Sequence, residues 1–141
     1  MFKKILIANR GEIACRVIKS AKKMGIKTVA VYSEADEYSK HVFESDESIF
    51  IGNSPASESY LSIDKIINAA KKANVDAIHP GYGFLSENPD FVKKINKTKI
   101  KFIGPNIDAI KIMGDKIQSK NLAKISLRRV EPSLINCKEP S

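Results

Sequence analysis

Apolar and polar positions follow two different rhythms along this chain, and the switches between them predict five strands separated by helices. Residues 3–9 (KKILIAN) form a short apolar run without clear alternation, the pattern of a strand covered on both faces of a parallel sheet. In residues 11–25, Ile13, Val17, Ala21 and Met24 recur at helical spacing with Ala14 and Ile18 beside them, and Gly25 supplies a stop. Residues 27–33 (KTVAVYS) are β-branched and mostly apolar, which predicts a second strand and with it a crossover unit. Residues 34–46 carry few apolar anchors and predict a loop with room for a helical turn. A third strand is predicted over 47–52, a connecting loop over 53–62, and a helix over 62–75 with Ser62 as N-cap and Ile63, Ile66, Ile67 and Ala70 turned inward.

Residues 76–80 (DAIHP) predict a fourth strand ended by Pro80, which has no amide hydrogen to give a ladder. Asn88, Pro89 and Asp90 then read as the cap, first-turn proline and dipole-matched carboxylate of a helix over 89–97. Residues 99–104 predict a fifth strand, broken at Gly104-Pro105. Helical spacing resumes over 106–113 (Ile107, Ile110, Met113), stops at Gly114, and begins again over 115–124. From Ile125 onward no periodicity is sustained. The expectation is one three-layer α/β, Rossmann-like domain with a mostly parallel five-stranded sheet over residues 1–124, followed by an atypical tail over 125–141.

Composition narrows the function classes. A chain of 141 residues, 43% hydrophobic and 28% charged, is sized and balanced for one soluble globular domain. No apolar run approaches the roughly 20 residues of a bilayer helix, and the N-terminus enters a strand rather than a secretory signal, so a cytoplasmic protein without a membrane partner is expected. The net charge of +8 would suit nucleic acid if it were clustered. Instead the lysines are spread over helix faces (Lys19, Lys22, Lys23; Lys71, Lys72; Lys93, Lys94, Lys97), and half the excess lies from Lys116 onward. No nucleic-acid partner is expected. Cys15 and Cys137 belong to no C-x-x-C, so neither a disulfide framework nor a zinc site is indicated, and Cys15 reads as a small core residue of the first helix.

Ligands of open parallel sheets gather at the carboxyl ends of the strands. Three segments fall there: NRGE (9–12), GYGFLSE (81–87) and GPN (104–106). The first has one glycine where a dinucleotide fold carries G-x-G-x-x-G, which removes most support for an NAD site. Arg10 and Glu12 pair with each other or with a neighbouring segment, or else contact a ligand directly. In the second segment Gly81 and Gly83 allow positive φ and expose successive N–H groups that can hold an anion, while Tyr82 offers a flat face with a hydroxyl. A plain tight turn would explain the glycines equally. Phe84 and Leu85 read as core, and Glu87 as a cap partner or a site carboxylate. Lys116, beside a glycine break, is either a phosphate contact or a solvated surface charge. His79 reads as a hydrogen-bonded core histidine rather than a base, and the sequence contains no Ser-His-Asp, H-E-x-x-H or Walker A pattern. These residues alone lead to an α/β domain with a small anion or nucleotide site.

Four blocks in order, KILIANRGEIACRVIKSAKKMGIKTVAVYS, HPGYGFLSEN, FIGP and MGDK, resemble the N-terminal (pre-ATP-grasp) domain of biotin carboxylase over about residues 2–124. The wording of the first and last blocks looks closest to the propionyl-CoA carboxylase type. The resemblance implies a ligase reaction in which ATP activates bicarbonate as carboxyphosphate, and the CO2 so released is transferred to biotin on a separate carrier domain, within an acetyl-, propionyl- or pyruvate-type carboxylase. It implies ATP, biotin, bicarbonate and Mg²⁺ as cofactors or substrates. Lys116 matches the lysine on the ATP phosphates, Gly81, Tyr82, Gly83 and Glu87 match the loop near biotin and bicarbonate, and Arg16 matches a position of subunit contact. No residue of this chain matches a catalytic base or a metal ligand, which the family carries in its later domains.

The implied partners are the ATP-grasp and C-terminal domains, the biotin carboxyl carrier domain, a carboxyltransferase subunit and a second copy of the chain. The tail over 125–141 does not resemble the family's continuation, so an interrupted reading frame and a chain inactive by itself are expected. The competing expectation is a free-standing nucleotide- or partner-binding module without catalysis.

Overall fold

The computed structural model describes residues 2–104. The helices expected over 106–113 and 115–124, together with Lys116, Cys137 and the tail over 125–141, lie outside the described residues. Strands β1 (Lys4–Ile7), β2 (Lys27–Ser33), β3 (Glu47–Gly52), β4 (Ala77–His79) and β5 (Lys101–Phe102) build one sheet in the order β3-β2-β1-β4-β5. Every pairing is parallel. The helices are α1 (Gly11–Lys23), α2 (Lys40–Glu44), α3 (Ile63–Lys72) and α4 (Pro89–Asn96), with single 3-10 turns at Glu34–Asp36 and Ala56–Glu58.

The two-residue period of the strands sorts the core into two layers. Leu6, Ala8, Val29, Val31 and Ile78 pack with Ile66 and Ala70 of α3 and with Phe91 and Ile95 of α4. Ile5, Ile7 and Ala77 point the other way and pack with Ala14, Ile18 and Ala21 of α1. Helices on both faces leave the central strands without solvent, which is why β1 reads as an unbroken apolar run. Covering one Leu or Ile fully is worth about 1.5–3 kcal/mol, so these two layers carry most of the driving force and hold the loops at the strand ends in place.

The caps form where the sequence predicts them. Ser62 accepts from the Lys65 amide at 3.4 Å, and Asn88 Oδ1 accepts from the Asp90 and Phe91 amides at 2.9 and 3.2 Å. The differences are physical. Strands β1, β4 and β5 are shorter at both ends than the runs that predict them, although the Ala8 and Ile103 amides still donate to the His79 and Ile78 carbonyls at 2.9 Å. Helix α1 buries Ala14, Ile18 and Ala21, while Met24 is 57% exposed and Ile13, Val17 and Met24 border an apolar groove with His79, Tyr82 and Ile103. Cys15 is half-buried rather than in the core, and burial pushes its thiol up. The segment 34–46 is not a plain loop: His41 of α2 is fully buried, with its Nε2–H donating to the Val31 carbonyl at 3.0 Å.

Candidate functional site

Strand order reverses between β1 and β4: the chain winds outward from β1 through β2 to β3, then returns to β4 beside β1 and continues to β5. A crevice opens at the carboxyl ends of such a pair. The structure places Asn9 and Arg10 at the end of β1 and the turn Gly81-Tyr82-Gly83 just past the end of β4, so two of the three predicted segments meet there. The third, 104–106, begins at the end of β5 and runs outside the described residues.

Asn9 ties the two strand ends together. Its side chain is 2% exposed. Its Nδ2 donates to the Pro80 carbonyl at 2.9 Å and to the Tyr82 carbonyl at 2.6 Å, and its Oδ1 accepts from the Arg10 amide at 2.9 Å. Two carbonyls can only accept, so the amide orientation is fixed by its partners. Gly81 and Gly83 both adopt left-handed backbone, with φ of +67° and +70°. Their surroundings differ. A Cβ at Gly81 would lie 2.7 Å from Asn9 Nδ2, whereas a Cβ at Gly83 would meet nothing within 4 Å. Gly81 is therefore required by close packing, and Gly83 leaves its backbone open to an approaching molecule.

Tyr82 is 76% exposed, presenting its ring at the rim. Phe84 and Leu85 are turned inward: Leu85 is buried, and Phe84 stacks on Tyr60 with centroids 5.2 Å apart and planes 21° from parallel. Glu87 is exposed, and Asn88, not Glu87, caps α4. Arg16 is exposed on α1. His79 is hydrogen-bonded, as expected, but half-buried rather than in the core, with Nδ1 accepting from the Gly81 amide at 3.0 Å. An amide can only donate, so this imidazole holds its proton on Nε2.

Arg10 pairs with a neighbouring segment. Its Nε and Nη2 each reach Asp36 at 2.7 Å, a bidentate bridge. Asp36 is 5% exposed, and its carboxylate also accepts from Tyr60 OH at 2.7 Å, Ser33 Oγ at 3.3 Å and Ser39 Oγ at 3.4 Å. Burial alone would raise this carboxyl, but the hydrogen bonds from Arg10 and Tyr60 outweigh it and hold the group below its ordinary value. Burial and the bond to Asp36 push the Tyr60 phenol up to about 12, so it remains a donor. Asp36, Tyr60 and Asn9 are the residues that hydrophobic patterning misses. Asn9 has the one available signal, a polar side chain directly after a fully buried strand.

These groups set the acid response. Burial holds His79 below its ordinary value of 6.5, and protonation at Nδ1 would break the bond from Gly81. Its contribution to stability is therefore complete above pH 6.5 and lost as pH falls through the lowered folded-state value. Asp36, Asp46 and Asp76 lie below the ordinary 3.8, Asp46 through bonds from the Thr28 backbone and Asp76 through the Lys3 and Lys4 amides. Their contributions are complete above pH 3.8 and lost below it. Urea unfolding at successive pH values should show a first decline below pH 6.5, absent in His79→Gln, and a second below pH 3.8. A profile flat down to pH 4.5 or so, in both proteins, would contradict the placement of His79.

A parallel sheet wound outward in both directions, with a glycine turn and an exposed aromatic at the reversal, defines a Rossmann-type α/β domain. Within that class the chain belongs to the biotin carboxylase N-terminal domain family, whose model matches residues 1–110. It is 59% identical over 123 residues to the mitochondrial propionyl-CoA carboxylase alpha chain of Mus musculus, covering 87% of this chain. It spans 17% of the length of that relative.

Among crystal structures, the biotin carboxylase domain dimer of Hydrogenobacter thermophilus 2-oxoglutarate carboxylase, in complex with MgADP, ADP and bicarbonate, is 48% identical with a TM-score of 0.80. The match covers 88% of this chain and 27% of that one. The complete pyruvate carboxylase of Rhizobium etli is 50% identical with a TM-score of 0.78, over 86% of this chain and 13% of that one. Among the described residues no helix is long and apolar enough to cross a membrane.

Proposed function

We propose that this chain forms the N-terminal part of a biotin carboxylase of the propionyl-CoA carboxylase type, in which ATP and bicarbonate are used to carboxylate biotin on a carrier domain. Residues 1–124 are the domain and 125–141 a tail outside it. Gly81, Tyr82, Gly83 and Glu87 form one wall of the biotin and bicarbonate pocket, and Lys116 contacts the ATP phosphates. The observation that carries this reading is the turn itself: at the switch point, Gly83 leaves open space beside its backbone and Tyr82 presents an exposed ring. A planar ureido ring fits against such a surface.

The contribution of these residues is positional. Asn9 and the left-handed glycines fix the turn, so that its N–H groups and the Tyr82 face are placed before a ligand arrives. Donors fixed in this way favour developing negative charge once the later domains close the cleft and exclude water. Among the described residues no group of three His, Cys, Asp or Glu side chains could hold a metal ion. The ATP-grasp and C-terminal domains must supply the metal ligands and the base, and the chain alone is inactive. Carrier and carboxyltransferase partners, and a second copy contacted near Arg16, complete the assembly.

Complementation tests this reading. Mixing the 141-residue chain with separately expressed ATP-grasp and C-terminal domains should restore bicarbonate-dependent ATP hydrolysis that neither piece shows alone. Nucleotide binding without turnover in the mixture would instead identify a free-standing binding module. In the restored enzyme Lys116→Gln should raise the KM for ATP about tenfold or more, since a hydrogen bond to a charged group is worth about 1.5–3 kcal/mol. An unchanged KM would make Lys116 a surface charge.

A further inference from the structure

We propose that Tyr60 and Asp36 are positioning residues for the Gly81-Tyr82-Gly83 turn, a role that rests on the reading of this turn as a pocket wall only for its consequence on catalysis. The turn is gripped at its start by Asn9, whose Nδ2 holds the Pro80 and Tyr82 carbonyls. Its exit needs a second grip. Phe84 has φ of +44°, a left-handed backbone that costs a non-glycine residue about 1–2 kcal/mol. What holds Phe84 there is its ring, laid on the Tyr60 ring at 5.2 Å, a stacked pair worth about 0.5–1.5 kcal/mol beyond the area it buries.

Tyr60 can serve as that platform because it cannot turn. Its hydroxyl donates to Asp36 Oδ2 at 2.7 Å and accepts from the Ser33 amide at 3.1 Å, so both functions of the phenol are used, and the residue is 2% exposed. Asp36 is fixed in turn by the bidentate Arg10, whose guanidinium carbon lies 5.9 Å from the Tyr60 ring centroid. Arg10 follows Asn9 directly. The end of β1 therefore holds the turn from both sides, through Asn9 at residues 80–82 and through Arg10, Asp36 and Tyr60 at residue 84. Four segments distant in sequence meet in this brace, and none of its members other than the turn needs to touch a ligand.

The test is Tyr60→Phe in the 141-residue chain, which keeps the ring and removes only the hydroxyl. Two amides report on the turn: Gly81, donating to His79 Nδ1, and Ser86, donating to the Gly83 carbonyl at 2.9 Å. Hydrogen exchange at both should accelerate about tenfold more than at Val29 and Val31 in β2, which report global opening. The Ser33 amide, stripped of its acceptor, should accelerate with them. Phe84→Leu breaks the brace from the opposite side and should loosen Gly81 and Ser86 while leaving Ser33 at its original rate. Turn amides that keep their rates, or that rise only in step with β2, overturn the proposal.

In the complemented enzyme Tyr60→Phe should raise the KM for free biotin about tenfold with the KM for ATP unchanged. Equal rises in both would mean general loss of structure and overturn the positioning role. Loosened turn amides with an unchanged biotin KM would keep the brace and remove the turn from the biotin pocket.

Discussion

Replacing Asp36 by alanine should lower the unfolding free energy by about 2–4 kcal/mol, a large share of the 5–15 kcal/mol typical of a domain. The carboxylate accepts five hydrogen bonds from three separate segments and is nearly covered. Its removal strands the buried Tyr60 hydroxyl as a donor, at about 1–3 kcal/mol, and loosens Ser33. The Arg10 side chain is 51% exposed and returns to water, so the full 3–5 kcal/mol of a broken buried pair is not reached. Asp36→Asn keeps the shape and one acceptor and should lose about half as much. The difference between wild type and Asp36→Ala should also shrink as pH falls below 3.8, because the wild-type carboxyl is then protonated and its charge-assisted bonds weaken. Urea midpoints near neutrality and in acid measure both effects. A loss below about 1 kcal/mol, independent of pH, would reduce the network to an ordinary surface ion pair.

The same residue shows where sequence reasoning stops. Apolar spacing reports burial that water drives, and it locates all five strands, α1, α3 and α4, together with Leu85 under the turn. Asp36 is buried for a different reason: its hydrogen bonds are satisfied by Arg10 and Tyr60 from elsewhere in the fold. A carboxylate whose donors come from residues 10, 33, 39 and 60 leaves no local periodicity, so the segment 34–46 looks like loop. Helix α1 is legible from its spacing, but spacing does not say which positions the sheet covers fully: Ala14, Ile18 and Ala21 are buried, Val17 is partly buried against them, and Met24 is exposed. The turn itself is legible as glycines that allow positive φ. What the letters could not say is that the two glycines are constrained differently, since that depends on Asn9, which lies far away in sequence at the end of β1.

Gly81→Ala should therefore cost more than Gly83→Ala, although both replace a glycine at nearly the same φ. The shared part is the left-handed penalty, about 1–2 kcal/mol for a residue with a Cβ. At position 83 nothing lies within 4 Å, so the cost ends there. At position 81 the new carbon would sit 2.7 Å from Asn9 Nδ2 and 3.0 Å from its Cβ and Cγ. Asn9 can withdraw only by releasing the Pro80 and Tyr82 carbonyls, each bond worth about 1 kcal/mol net. A total near 3–4 kcal/mol follows for Gly81→Ala, and the collision term should be recoverable. In an Asn9→Ala background the obstructing atoms are gone, so Gly81→Ala should cost only the backbone term, a coupling of about 2 kcal/mol in a double-mutant cycle. Function should rank the two sites the other way for what stability does not explain. A side chain at 83 intrudes on the open space beside the turn, so Gly83→Val should abolish biotin carboxylation in the complemented enzyme while the fold survives. Equal stability losses at 81 and 83 with no coupling to Asn9 would mean that backbone conformation alone selects both glycines, and that the turn is not braced from the end of β1.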